Sequence, residues 1–384
     1  MSYLGLVESP DPLHDIGAYS NALEGWLGSN ADVLTLAAAA IPEYATRVDA
    51  MRQLMAALHA DGWSRYGWPE AVGGLGGTIL HRAAMWEVLS RRNVPGMALF
   101  EHLEILAPAL VALGPTDFVA DALPRFLAGE ELWSQGFSEP DAGSDLASLR
   151  TTARLTDDGY VLNGRKIWTS WARYATWCLV LARSGTTESR HRGLTAFIVD
   201  LRGPGVEVRA IEQANGTDEL AEVTFDDVLV PVDRVVGDVD GGWKVAMHIL
   251  SHERGTFAWF RHLPLYQLLV DCSPDARSAD DVALGNALLD LAAVTAASRA
   301  GLEVHASGIP MGPLAAVPKV LLCAAEQSVN DWVLATDPDL ILDPFDEIAA
   351  VRRQEYLFSR IVTVYGGSQQ MQLDTIAKQI LSMS

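Results

Sequence analysis

The spacing of apolar residues divides the chain into three stretches of different period. From Ala37 to about Glu130 the period is helical: Met51, Leu54, Met55 and Leu58 fall at i, i+3, i+4 and i+7, on one face of a helix. That stripe stops at Asp61-Gly62-Trp63, where Gly62 suits a helix terminus, and a Gly-rich loop over Gly67–Gly74 leads into another helical stretch. Between about Leu132 and Asp238 the period shortens to two. Thr151–Thr156 and Tyr160–Ile167 flank Asp157-Asp158-Gly159, which predicts a tight hairpin whose glycine supplies a positive φ. Short runs follow at Leu179–Arg183, Leu194–Val199, Val206–Ile211 and Glu222–Val230, and together they predict a compact β-domain of antiparallel character. After Gly241-Gly242 helical spacing returns, with Leu284, Leu288 and Leu291 as one stripe and turn signals over Thr336–Asp339 and Asp343–Phe345. The expected class is α+β in three domains: helical over 1–130, β over 131–238, and a helical bundle of four-helix type over 239–384.

Charge narrows the set of partners. Lys and Arg number 28 against 49 Asp and Glu, a net charge of -21, which opposes nonspecific binding to nucleic acid or anionic membranes. A phosphate-bearing cofactor stays compatible, because helix N-termini and backbone N–H groups bind phosphate without net positive charge. The amino end, MSYLGLVESPDPLHD, lacks the basic region and apolar core of a secretory signal, and no apolar run approaches the roughly eighteen residues of a membrane span. The expectation is a cytoplasmic protein without membrane insertion. Cys178, Cys272 and Cys323 are widely spaced and odd in number, which fits buried reduced thiols better than disulfides or a metal site.

The most specific string is Gln135-Gly136-Phe137-Ser138-Glu139-Pro140-Asp141-Ala142-Gly143-Ser144-Asp145, which resembles the EP-x-AGSD signature of the acyl-CoA dehydrogenase family. The resemblance extends to Asn163–Ser170, to Val228–Pro231 before the last helical stretch, and to Tyr365-Gly366-Gly367-Ser368, in the family's order. It implies the acyl-CoA dehydrogenase-like fold and a FAD enzyme that removes a proton from Cα and a hydride from Cβ of an acyl-CoA, with an electron-transferring flavoprotein as acceptor. The carbonyl oxygen of the thioester then needs hydrogen-bond donors to stabilise the developing enolate, and a carboxylate must face the flavin from across the substrate. By position, the resemblance assigns Phe137, Ser138, Gly143, Ser144, Trp168, Ser170 and Ser368 to the flavin, and Ser144 and Tyr365 also to the substrate. Taken alone, Gly143 reads rather as a turn glycine and Trp168 rather as a core residue.

In most of the family the general base is a Glu in a Tyr-Glu-Gly-Thr string near the carboxyl end; here Gly366 stands in its place. The isovaleryl and long-chain branches instead carry Glu before an Arg on the first long helix after the β-domain, and Ser251-His252-Glu253-Arg254-Gly255 lies there. Glu253 is therefore the candidate base, with burial expected to raise its pKa; an arbitrary helix Glu would be a surface residue. Arg254 resembles the position that steadies the CoA end of the ligand, with a structural ion pair as its alternative, and His252 reads as a packing or surface residue. The Gly366 backbone N–H is expected to donate to the thioester carbonyl. Two strings that clamp the adenosine-diphosphate half of FAD across a subunit interface in homotetrameric members, Arg-x-x-Phe-Gly and Gln-x-x-Gly-Gly-x-Gly, are missing, and Val270–Arg277 and Asp337–Phe345 stand in their places. Their acidic, turn-rich character would repel a pyrophosphate. This departure resembles the α2β2 actinobacterial enzymes of steroid side-chain breakdown, in which a second acyl-CoA dehydrogenase-like chain completes the FAD site. The alternatives are a catalytically silent scaffold subunit, and a same-fold flavoenzyme acting on a carrier-protein thioester or using oxygen as oxidant.

Overall fold

The computed structural model describes residues 12–95, 98–272 and 281–383. Its first third is helical: α1 (Ile16–Ser29), α2 (Ala31–Ala38), α3 (Tyr44–Ala60), α4 (Ile79–Arg91), α5 (Ala98–Leu113) and α6 (Thr116–Leu127). Met51, Leu54, Met55 and Leu58 form the buried face of α3 as their spacing predicts, and Gly62, with φ +85°, follows the helix in the left-handed region. Helical structure begins at Ile16, ahead of the expected start, because Tyr19, Leu23 and Leu27 bury a narrower stripe that the short pattern there conceals.

Eight strands form one sheet: β1 (Trp133–Gly136), β2 (Thr152–Thr156), β3 (Gly159–Ser170), β4 (Trp177–Arg183), β5 (Leu194–Asp200), β6 (Val206–Ala210), β7 (Leu220–Val230) and β8 (Val235–Val236). The order is β6-β7-β3-β2-β4-β5-β8, with β1 beside β4. The β2–β3 hairpin turns at Asp157-Asp158, with Thr156 opposite Gly159. The antiparallel expectation holds for most pairs, while β1–β4 and the single β2–β4 pairing are parallel. Strand β1 hides in the sequence because its four residues are too few to alternate. It is fixed by packing, with Trp133 against Phe126 of α6 at 4.6 Å between ring centroids.

The last third holds α7 (Gly242–Gly255), α8 (Phe257–Asp271), α9 (Asp281–Ala306), α10 (Ala316–Thr336), α11 (Asp339–Leu342), α12 (Glu347–Ser359) and α13 (Gln369–Thr375). The expected stripe on α9 is only partly right. Leu291 is buried, yet Leu288 is exposed, because the inward face runs through Ala287, Leu291, Val294 and Ser298. Helix α7 reaches the sheet through Gly242: a Cβ there would lie 2.7 Å from the Thr195 carbonyl carbon of β5, so only glycine permits this approach. The three cysteines are buried. No helix among the described residues is long and apolar enough to cross a membrane.

Candidate functional site

Glu253 lies in the last turn of α7, whose Val245, Ala246 and Ile249 are buried. The helix ends one turn on, where Thr256 sends both its backbone N–H and its hydroxyl to the His252 carbonyl at 3.0 Å before α8 begins. The Glu253 side chain points to the turn between α12 and α13. A Cβ on Gly366 would sit 3.1 Å from Glu253 Oε1, 3.5 Å from Cδ and 3.6 Å from Cγ. Gly366 (φ +66°) and Gly367 (φ +85°) are both left-handed, so the turn needs glycine for its backbone as well as for the carboxylate beside it. The residue as a whole is half-buried, yet among the described residues nothing hydrogen-bonds to its Oε2, which is out of contact with solvent. Burial raises the Glu253 pKa above the ordinary carboxylate value, against the opposing pull of Lys319, Arg254 and a hydrogen bond from the Gln135 side chain.

Arg254 braces the same turn. Its Nε donates to the Gly366 carbonyl at 3.4 Å, and its guanidinium lies 3.1 Å from where a Gly367 Cβ would be. Tyr365 rests edge-on against Phe257 at 6.0 Å, beneath the Lys319 ammonium, which is 3.7 Å from its ring centroid. Ser368 caps α13, its hydroxyl accepting from the Met371 N–H at 3.3 Å. His252 is buried in a cluster with His248 and His305, at ring separations of 5.0 and 4.4 Å, and burial holds its pKa down to about 2, so it is neutral.

The signature loop is built on a buried ion pair. Lys166 Nζ donates to Glu139 Oε1 at 2.7 Å and to the Phe137 carbonyl at 3.1 Å, while Glu139 also accepts the N–H groups of Arg150 and Thr151 at 2.6 and 2.9 Å. Both strings thus contribute a structural anchor that leaves the neighbouring residues free. Phe137 is buried; Ser138 holds β3 through its carbonyl, which accepts from the Ile167 N–H at 2.9 Å. Gly143 and Ser144 are exposed, and nothing lies within 4 Å of where a Gly143 Cβ would be, so packing inside the chain does not call for that glycine.

Trp168 is held at a β-bulge in β3, between Lys166 and Thr169, with φ +59° and 56 % of its surface exposed. A bulky residue in the left-handed region is strained, and here the strain presents an indole to solvent, with Ser170 two residues on. An exposed aromatic plate and an exposed glycine-serine loop suit the ring and phosphates of a flavin. The structure brings Glu253, Arg254, Tyr365 and Gly366 together on the helical side and Phe137, Ser138, Trp168 and Ser170 on β1, β3 and the intervening loop, with Gln135 reaching from β1 to Glu253. Gln135 and Lys319 were not singled out from the sequence. Gln135 stands inside the signature string, which was its one available signal, whereas Lys319 lies in an unremarkable helical stretch. A cavity of about 320 Å³ between α8, α10, α12 and the end of α4 contains none of these residues. Of the segments replacing the clamp strings, residues 273–277 lie outside the described residues. Asp337–Phe345 forms a turn and α11, with Phe345 95 % exposed.

Comparison with known proteins places these observations. The family model for the acyl-CoA dehydrogenase N-terminal domain matches residues 31–130, and that for the middle domain matches residues 134–228. Acyl-CoA dehydrogenase IpdE1 of Mycobacterium tuberculosis is 34 % identical over 97 % of this chain and 98 % of its own length. IpdE1 of Mycolicibacterium smegmatis is 35 % identical over 85 % and 86 %. The ChsE4-ChsE5 complex from Mycobacterium tuberculosis superposes with a TM-score of 0.75 at 26 % identity, covering 99 % of this chain and 100 % of the matched one. The Tcur3481-Tcur3483 steroid ACAD has the same fold, with a TM-score of 0.79 at 23 % identity over 98 % of this chain and 100 % of that chain. The chain therefore belongs to the acyl-CoA dehydrogenase family, flavoprotein oxidoreductases that dehydrogenate acyl-CoA thioesters.

Proposed function

We propose that this chain is the base-carrying subunit of a heteromeric acyl-CoA dehydrogenase that forms a trans-2-enoyl-CoA, with Glu253 abstracting the Cα proton. The observation that carries this reading is the fit of the Glu253 carboxylate into the space left by the missing side chain at Gly366, 3.1 Å from the position of its Cβ. A carboxylate at the turn and one on α7 would compete for that volume. Burial raises the affinity of Glu253 for a proton, which suits a group that must take one from a weak carbon acid. The Gly366 N–H would polarise the thioester carbonyl, with Arg254 holding the turn and Ser144 and Tyr365 on the substrate side.

FAD fits the opposite wall, where Phe137, Ser138, Gly143, Ser144, Trp168 and Ser170 would hold it, with Ser368 meeting it from the start of α13. Bound there, it would supply the two-electron acceptor for the hydride leaving Cβ. The partner in this reading is a second acyl-CoA dehydrogenase-like chain in an α2β2 assembly, supported by the absent clamp strings, by the apolar surface at Leu342, Phe345 and Ile348, and by the two-chain ChsE4-ChsE5 relative. An electron-transferring flavoprotein receives the electrons, and the compartment is the cytoplasm. Replacing Glu253 by Gln is expected to leave flavin content unchanged and lower turnover by about a hundredfold or more, the scale of removing a positioned base. Turnover close to wild type in that variant would overturn the assignment.

A further inference from the structure

The first turn of α10 buries a cation that the proposed chemistry has not used. Lys319 is 1 % exposed, and among the described residues no acceptor hydrogen-bonds to its Nζ. An ammonium taken out of water without an acceptor costs several kcal/mol, and such a group persists where charge is needed. Its Nζ stands 3.7 Å from the Tyr365 ring centroid, where the π-face supplies part of the lost solvation. Tyr365 adjoins Gly366, and the Glu253 carboxylate lies 3.1 Å from where a Gly366 Cβ would be. One turn of backbone thus has a buried cation on one residue and a buried carboxylate with an unbonded oxygen on the next.

We infer that Lys319 is a positioning residue for the base, a buried ammonium that shares the Tyr365–Gly366 turn with Glu253 and keeps its carboxylate ionised and in place for proton abstraction. The inference rests on the reading of Glu253 as the base. The two charges oppose burial for one another, Lys319 drawing the Glu253 pKa down and Glu253 drawing the Lys319 pKa up. Without Lys319, the rise that burial imposes on the Glu253 pKa would be larger.

The other ionisable groups around the pair are occupied or neutral. On α7, Arg254 is turned to the Gly366 carbonyl and His252 is neutral. His305 of α9 packs edge-on against His252, and burial lowers its pKa. Glu104 of α5 is paired with Arg82 of α4 at 2.9 Å. His191, before β5, rests on Trp243 in the first turn of α7. On the far side of α10, Arg261 of α8 binds Glu326 at 2.8 Å and Glu355 of α12 at 3.2 Å, and the Cys323 thiol donates to the Val362 carbonyl at 3.3 Å. Among the described residues, Lys319 is the cation that acts on Glu253 from another element.

The test uses the full-length, flavin-loaded enzyme and a panel of straight-chain, branched and alicyclic acyl-CoA thioesters, the fastest of which is carried through every variant. Lys319→Met removes the charge and keeps the volume. Losing a nearby positive charge destabilises the carboxylate and raises its pKa, so the acid limb of kcat against pH should move upward by about one unit or more, with turnover recovering at high pH. Lys319→Arg keeps the charge and should keep the wild-type limb. A limb that superimposes on wild type in Lys319→Met would overturn the inference. The second measurement needs no turnover: the infrared band of the protonated Glu253 carboxyl, isolated by subtracting Glu253→Gln, is followed over pH in wild type and in Lys319→Gln. An unchanged midpoint overturns the inference, and an upward shift supports it. Glu253→Gln separates the two readings. If it retains turnover, the base assignment fails whatever Lys319 does; if it is inactive and neither limb nor midpoint moves, the role of Lys319 alone fails.

Discussion

Gly366 is the residue on which the site turns. Its φ of +66° is strained for any side chain, and its Cβ position is 3.1 Å from Glu253 Oε1. Ala there costs about 1 kcal/mol of backbone strain and pushes the carboxylate by a few tenths of an ångström. Gly366→Ala is expected to retain flavin and lose turnover about tenfold or more, since displacing a reacting group is costly; steady-state kinetics normalised to flavin content reads it. Glu253 and Gly366 were legible together in the sequence, because a missing carboxylate in one string and an extra one in another are both visible as letters. Lys319 and Gln135 were not, because what marks them is burial and proximity. The sequence also offers no sign that Arg254 holds the glycine turn, since nothing in its spacing links it to residues more than a hundred positions away.

Among the elements, β3 carries Trp168 and Ser170, and its Lys166 anchors the signature loop through Glu139 and the Phe137 carbonyl. Burial lowers the Lys166 pKa to about 8, while the same pair lowers that of Glu139. Lys166→Met would strand the Glu139 carboxylate, and breaking one partner of a buried pair costs about 3–5 kcal/mol. A clear fall in thermal midpoint at equal flavin load is expected, and an unchanged midpoint would show that the pair does not hold the loop. Because the folded Glu139 pKa lies below its ordinary value, its contribution is fully present above the usual carboxylate range and is lost as pH falls through the lowered pKa. Long elements such as α3 and the β2–β3 hairpin were readable from period and turn residues. The bulge that lifts Trp168 out of the sheet was not, because bulges arise from the register between β3 and β7, which no local pattern encodes.

For the whole molecule, the proposed heteromer predicts that a second chain completes the flavin site. The residues proposed to face the flavin lie in the loop after β1 and on β3, with Ser368 at the start of α13, while the acidic turn ending at Phe345 stands where the resemblance expects one of the strings that grip the diphosphate. Expressed alone, the chain is expected to bind FAD poorly, and co-expressed with its partner it should carry about one flavin per pair of unlike chains. Losing the charge-assisted contacts at one end of the cofactor should weaken binding by several kcal/mol. Flavin absorbance and native mass with and without the partner decide it; a yellow, active homotetramer with one FAD per chain would show that this chain completes its own site. The order of helices, sheet and helices was legible from period alone. How the surface at Leu288, Leu342 and Phe345 is covered was not, because an exposed apolar residue has the same letter as a buried one.

Mounting the carboxylate on α7 and leaving the turn at Gly366 bare divides between two distant pieces of chain what one loop would otherwise supply together. With Glu253 as the proposed base, the acceptor of the proton and the turn beside it lie on separate segments of the chain. A substitution at Gly366 itself presses on the carboxylate, whereas one elsewhere in the turn changes the surroundings and leaves Glu253 on α7 in place. Such a scaffold can be retuned to a new acyl shape in small steps, each of which leaves the chemistry running.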